Sequence, residues 1–420
     1  LIEKLNLEFN FEKKLDYKFL PRPHFTTNES SLIFNKKKIS EINEIKFYVS
    51  LNNLFSLKNI KVKDVVIEEA NFNLNKNNYS FFIKLLDNNF KDSKFEILDS
   101  NIFYRNLDNE VLFINNIANA KYIYDINESK NMLYSKNNIF NLPYLIELSN
   151  NEDQKKLNSK IKIESLDLEI ENQFSYGEKF NTGLSEINFS NSKSIAEYKT
   201  NKNYFEFKLI DKAQKSKFSY NGKLNFRPFH SNLEGSAIEI DFSHLFSTNG
   251  VIKQILKTEI LNNKNIDFKL DISGNKIKNF DNFVNIFLKS KIEEGLIDLD
   301  ETNFSWKNHV NFNLIDSLIY IKDGKLILDA NSEIDIINSD EVYKFLLTPK
   351  NLRKKINKMN LNFTYLFDDK VINITDIKID GILNESLNDN FNQILLKDNN
   401  LQNKIYFKKL LNDAIRSYAG

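Results

Sequence analysis

The side chains best suited to acid–base chemistry in this chain are three adjacent carboxylate pairs, Glu68-Glu69, Glu293-Glu294 and Asp368-Asp369. Paired carboxylates act as general acid and base in glycoside hydrolases when they face each other across a cleft. Neighbours on a strand point to opposite sides, so each pair reads instead as solvent charge at a strand end or turn, and a carbohydrate-active enzyme is the weakest reading. The four histidines, His24, His230, His244 and His309, are scattered, and no Cys, His-x-x-x-His or carboxylate box accompanies them. No metal site is expected. Nor is there a glycine-rich phosphate loop, a dinucleotide fingerprint or a G-x-S-x-G elbow, and the expectation is a non-enzymatic protein without a cofactor.

Two further features have chemical alternatives. The basic run Asn351-Leu352-Arg353-Lys354-Lys355-Ile356-Asn357-Lys358 would suit phosphates, but reads more simply as a solvated helix face. Trp306 shares parity with Phe304 and reads as a core filler or rim residue rather than a ligand platform. Lys and Arg number 58 against 57 Asp and Glu, so no one-sided field recruits nucleic acid. The absence of Cys leaves the redox compartment open.

The elements that would position any site are strands. Leu5, Leu7, Phe9, Phe11, Leu15, Tyr17 and Phe19 share one parity, and the same alternation recurs at Ile45-Phe47-Val49-Leu51, Phe205-Phe207-Leu209, Phe218-Tyr220 and Leu224-Phe226. It continues at Ile238-Ile240-Phe242, Ile266-Phe268-Leu270-Ile272, Val310-Phe312-Leu314, Leu326-Leu328, Leu361-Phe363-Tyr365-Phe367 and Ile377-Ile379. Charged positions between them, as in Lys160-Ile161-Lys162-Ile163-Glu164, give each sheet one wet face and favour antiparallel pairing. Turns are written in Asn, Asp, Lys and Gly, at Asn75-Lys76-Asn77-Asn78, Asn221-Gly222 and Asn262-Asn263-Lys264-Asn265, and Asp323-Gly324 is the strongest hairpin signal.

Three- and four-residue apolar spacing predicts helices at Gly250 to Ile260, Phe280 to Leu288, Asp340 to Leu347, Lys350 to Asn357 and Tyr406 to Tyr418, with Thr348-Pro349 as a helix start. The polar stretch Asn150 to Ser159 predicts a linker between regions 1–150 and 151–420. With 41% hydrophobic residues in 420, the long apolar rows must be covered by a partner sheet, by curling of their own sheet, or by an apolar ligand.

At Tyr17-Lys18-Phe19-Leu20-Pro21-Arg22-Pro23-His24-Phe25, followed by Ser30-Ser31-Leu32-Ile33-Phe34, the chain resembles the AsmA family of bacterial envelope proteins, which carries a Leu-Pro-x-Pro strand opener there. Ile45 to Leu51, the element Asn52-Asn53-Leu54-Phe55-Ser56-Leu57 and the strand pair from Lys58 to Leu74 extend the resemblance, with Asn52 and Ala70 where the family often has Pro. Gly222 to Phe229 and Leu361 to Gly381 are similar to its C-terminal region. The family is related to bridge-like lipid transfer proteins. The resemblance implies an elongated, curled antiparallel β-sheet whose apolar groove takes phospholipid acyl chains, with a few short helices as caps or lids. It also implies a periplasmic body in a Gram-negative bacterium, held to the inner membrane by an N-terminal anchor. Since the chain opens on Leu1 inside an apparent strand, that anchor is expected to precede it.

The expected function is therefore conduction or handling of phospholipids between inner and outer membrane, or support of outer-membrane assembly with outer-membrane components as partners. The expected groove lining is Phe207, Leu209, Tyr220, Phe226, Ile240, Phe268, Leu270, Leu326, Leu328 and Phe363. The alternative is a structural or adhesive β-rich surface protein with closed cores. An outer-membrane barrel fits less well, because charges occupy both parities of several strands and evenly spaced spans of about ten residues are lacking.

Overall fold

The computed structural model describes residues 7–383 except 35, 51–61, 76, 89, 106–108, 128, 152–155, 190–191, 214–216, 227–228, 242–250 and 258–266, together with Glu385, Asp389, Lys408 and Asn412. The protein is mainly β, dominated by antiparallel pairing, with a few short helices. It divides into two compact units, Leu1–Lys199 and Thr200–Gly420.

The first unit opens with β1 (Glu8–Phe11), β2 (Asp16–Lys18), β3 (His24–Phe34), β4 (Lys37–Val49) and β5 (Val62–Leu74). After a short helix α1 (Phe81–Lys84) and a 3-10 turn (Leu85–Asp87) come β6 (Lys94–Arg105), β7 (Val111–Asp125), β8 (Lys130–Ile139) and β9 (Leu142–Asn151). The unit continues with β10 (Lys156–Ile163), β11 (Leu168–Ser175), β12 (Asn181–Phe189) and β13 (Ser192–Thr200). β1 and β2 both pair with β3, and each strand from β3 to β12 pairs with the next. All these pairings are antiparallel except β5 with β6, whose parallel register requires the crossover that α1 supplies.

The second unit starts with β14 (Tyr204–Asp211), β15 (Phe218–Phe226) and β16 (Phe229–Ile240), followed by helix α2 (Val251–Lys257) and β17 (Phe268–Ile277). Next come β18 (Phe280–Glu293), β19 (Leu296–Asp298), β20 (Asn303–Trp306), β21 (Val310–Lys322) and β22 (Lys325–Ile336). Helix α3 (Ser339–Leu346) precedes β23 (Lys358–Leu366), β24 (Val371–Ile379) and β25 (Ile382–Leu383). Here too one pairing, β16 with β17, is parallel and is bridged by a helical crossover. No helix among the described residues is long and apolar enough to cross a membrane.

The expected hairpin at Asp323-Gly324 is present, with φ of 52° and 73° joining Lys322 to its partner Lys325. Both positive φ angles match the turn type whose twist suits paired strands. Two other expectations fail for one reason, a phase slip within a strand. Phe280 to Leu288 is strand, not helix: Asn285 adopts φ 53°, so Phe283 and Ile286 reach the same face despite their spacing. A bulge of this kind mimics helical periodicity. Glu69 likewise has φ 53° between buried Ile67 and Ala70. Glu68 and Glu69 therefore lie together on the outer side, where Glu68 accepts from Lys46 and Glu69 from Asn43.

The described residues of the expected linker, 150–151 and 156–159, are paired strand inside the first unit, with Asn150 opposite Leu157 and Asn151 opposite Lys156, and the division of the chain falls at 199/200; residues 152–155 lie outside the described residues. Asn221-Gly222 is interior to β15 rather than a turn. Of the remaining helices, Val251–Lys257 and Ser339–Leu346 fall where helix is expected, whereas Lys350–Leu352 is only a 3-10 turn. Arg353 follows it, and its guanidinium donates to the Thr348 carbonyl at 2.9 Å. Asn262 to Asn265 lies outside the described residues, as does Tyr406 to Tyr418 apart from Lys408 and Asn412.

Candidate functional site

The register of the second unit brings the expected lining together. Residues directly opposite on paired strands share a face, and the chain of partners Leu224, Ser231, Phe268, Ile292, Ile297, Ile319, Leu328 and Tyr365 runs from β15 to β23 on one face. Phe207, Leu209, Tyr220, Phe226 and Leu270 belong to that face by alternation, as do Leu326 and Phe363, which opposes Ala330. Ile240 joins it by packing with Ala237, Ile286 and Ile272.

Burial divides this face. Toward β21 and β22, Leu256 and Ile252 of α2 pack with Ile319, Leu326 and Leu328, and Leu326 is 0% exposed. Leu326 and the buried Ile240 are thus closed core. Phe207, Leu209, Tyr220, Phe268 and Leu270 are only half-buried, and Phe226 is exposed at a hairpin end. Leu328 and Phe363 are half-buried as well.

Two glycines shape the half-buried part. The Phe207 ring lies over Gly222, where an added Cβ would stand 2.2 Å from the ring edge. Tyr220 lies over Gly235 in the same way, at 1.9 Å. These rings therefore lie flat along the sheet and pave it, and glycine is required because any larger residue would lift them off. Burial pushes the Tyr220 phenol above its ordinary value. The opposite face carries Glu206, Lys208, Lys223 and Glu234, with Lys223 paired to Glu206 at 3.3 Å. One sheet thus separates a hydrated ionic face from a smooth apolar one.

The first unit shows the same division. Over β4 to β8 the apolar face is sealed by Phe81, Leu85, Leu86 and Phe90, all at most 2% exposed, from the crossover. Tyr122 donates to the Phe82 carbonyl at 2.9 Å, and full burial holds its phenol well above its ordinary range. Beyond this lid, Ile161, Ile163, Leu168, Ile170, Phe174 and Ile187 on β10 to β12 are half-buried on the continuing face.

The residues singled out for chemistry are engaged elsewhere. Nδ1 of His24 lies 2.7 Å from the Arg22 carbonyl and Nδ1 of His230 lies 2.8 Å from Asp267, while His309 packs on Trp306 and His244 lies outside the described residues. Glu294 occupies a hairpin turn with Gly295. Asp368 accepts from Lys253 of α2 and from the Leu326 backbone N–H, and Lys253 holds its carboxyl below the ordinary range. No group of three or more potential metal ligands occurs among the described residues.

Sequence alternation placed rows such as Phe205-Phe207-Leu209 and Phe268-Leu270 on one face, whereas Leu15, Tyr17, Phe19 and Ile238 of other expected rows are exposed, and it carried no sign of the aromatic–glycine plates or of the buried Lys253–Asp368 pair. Those depend on strand register and on residues far apart in the chain. No protein-family model matches this chain, and no curated protein matches it.

Proposed function

We propose that this protein handles lipid acyl chains along its apolar sheet face, as a non-enzymatic envelope protein of the AsmA type with a curled groove. The observation that supports this reading most is that each unit leaves apolar sheet surface half-buried, on β10 to β12 in the first and on β14 to β17 in the second, backed by charge-paired opposite faces. Burying an acyl chain there would gain roughly 0.8 kcal/mol per methylene, and the flat ring faces of Phe207 and Tyr220 present hydrocarbon along which it could slide. The resemblance at Tyr17 to Leu74 favours a periplasmic body anchored at the inner membrane and phospholipid as cargo.

A second reading, a structural β-rich surface protein, draws on the sealed parts of the face under α1 and α2. Native purification with lipid mass spectrometry separates the two, combined with photo-crosslinking probes at Phe207 and Phe268. Crosslinked phospholipid at both positions is the expected result. A folded protein free of lipid, with no crosslink at either, would transfer the assignment to the structural reading.

A further inference from the structure

On β10 to β12 the half-buried face of the first unit is interrupted by a polar notch. Ser159, Asn172 and Ser185 oppose one another on β10, β11 and β12, and Tyr198 reaches in from β13 across Gly183. Ser185 and Tyr198 both donate to Asn172 Oδ1, at 2.9 and 2.6 Å, and Asn172 Nδ2 donates to Ser159 Oγ at 3.3 Å. The flanking rows are apolar: Leu157 and Phe174 on one side, Ile161, Ile170 and Ile187 on the other.

The proton inventory of this notch is unbalanced. Asn172 carries two N–H donors and Ser159, Ser185 and Tyr198 one O–H each, giving five, of which the three bonds above use three. The surplus lies on Asn172 Nδ2 and Ser159 Oγ, both half-buried and facing the apolar surface. Such a site suits a ligand oxygen that accepts and has no need to donate. No charged side chain shares this face on β10 to β12, where the lysines and glutamates take the other parity, Lys160 with Glu171 among them. An isolated anion would be poorly held there, whereas a neutral carbonyl would be satisfied.

We infer that Asn172 and Ser159 form a docking point for the ester carbonyl of an acyl lipid lying along this face, so that the protein distinguishes ester-linked from ether-linked chains. This rests on the acyl-chain reading above and adds a chemical class to it. A hydrogen bond of this kind, made in apolar surroundings, corresponds to up to about a tenfold preference.

The test is incubation of the purified full chain with vesicles holding equal amounts of a diester phosphatidylcholine and its diether analogue with matched chains, followed by re-isolation and mass spectrometry. The expected result is a diester excess of about five- to tenfold. It should fall to near unity in Asn172→Leu and shrink in the milder Ser159→Ala, while total bound lipid is retained. Equal capture of both lipids by the unsubstituted protein, or an excess unchanged in both variants, would overturn the ester inference and leave the acyl-chain reading standing. Capture of neither lipid by folded protein would overturn both.

Discussion

Two parallel steps among the described residues, β5 to β6 in the first unit and β16 to β17 in the second, solve one topological problem with different physics. Each needs a crossover that returns the chain to the same end of the sheet, and each places a helix on an apolar face. The first is held by hydrocarbon and neutral hydrogen bonds: Phe81 packs against Phe34 and Phe72 at ring distances of 5.3 and 5.9 Å, Leu85, Leu86 and Phe90 complete the seal, and Tyr122 and Asn131 donate to the Phe82 and Leu86 carbonyls. The second joins Leu256 to an ion pair, Lys253 with Asp368, whose side chains are only 7% and 13% exposed. A hydrocarbon seal is stable at any pH that leaves the fold intact, while an ionic fastening depends on the charge state of its carboxylate. Away from both lids the apolar surface is half-buried, on β10 to β12 in the first unit and on β14 to β17 in the second.

The largest effect should come from the hydrocarbon seal. Phe81→Ala removes a fully buried ring and should cost about 3–5 kcal/mol, seen as lost amide-exchange protection in β5 and β6. A loss below about 1 kcal/mol would show that the lid is dispensable and collapse the distinction.

Removing one member of the ionic fastening by Lys253→Ala leaves a largely buried carboxylate alone and should cost about 3 kcal/mol in Trp306-monitored unfolding of the second unit. The double change Lys253→Met with Asp368→Leu should recover most of that. If it behaves no better than the single change, the pair contributes through something other than charge. The same pair sets a pH dependence. The folded state holds the Asp368 carboxyl below its ordinary value of 3.8, so its contribution is full above that value and declines as pH falls through the lower folded one. Acid titration should therefore loosen α2 before α1, and the opposite order in exchange measurements would reverse the comparison.

On the open surface the effects should be smaller. Gly235→Ala lifts the Tyr220 ring and should destabilise by about 1–3 kcal/mol in chemical denaturation, with a changed near-ultraviolet tyrosine signal. An unchanged signal would mean that the ring need not lie flat. Phe207→Ser, on the half-buried row, should cost about 1–3 kcal/mol in stability, less than Phe81→Ala, because part of the ring is already in contact with solvent. It should nonetheless reduce lipid capture, and a cost as large as that of Phe81→Ala would identify the row as closed core.

Much of this architecture is legible in the amino-acid order. Period-two rows such as Phe205-Phe207-Leu209 and Leu326-Leu328 establish strands and assign each side chain to one of two faces, because successive side chains on a pleated backbone must alternate. Asp323-Gly324 establishes its hairpin, since few residues tolerate the positive φ angles of that turn. What local order could not decide is where alternation slips, at Glu69 and Asn285, since a bulge is defined by the strand beside it. Nor could it decide that Gly222 makes room for Phe207 instead of turning the chain, or that Leu326 is sealed while Phe207 is half-open. Those outcomes depend on cross-strand register and on crossovers contributed from elsewhere in the chain. Burial belongs to a residue's spatial neighbours, and a sequence lists only its neighbours along the backbone.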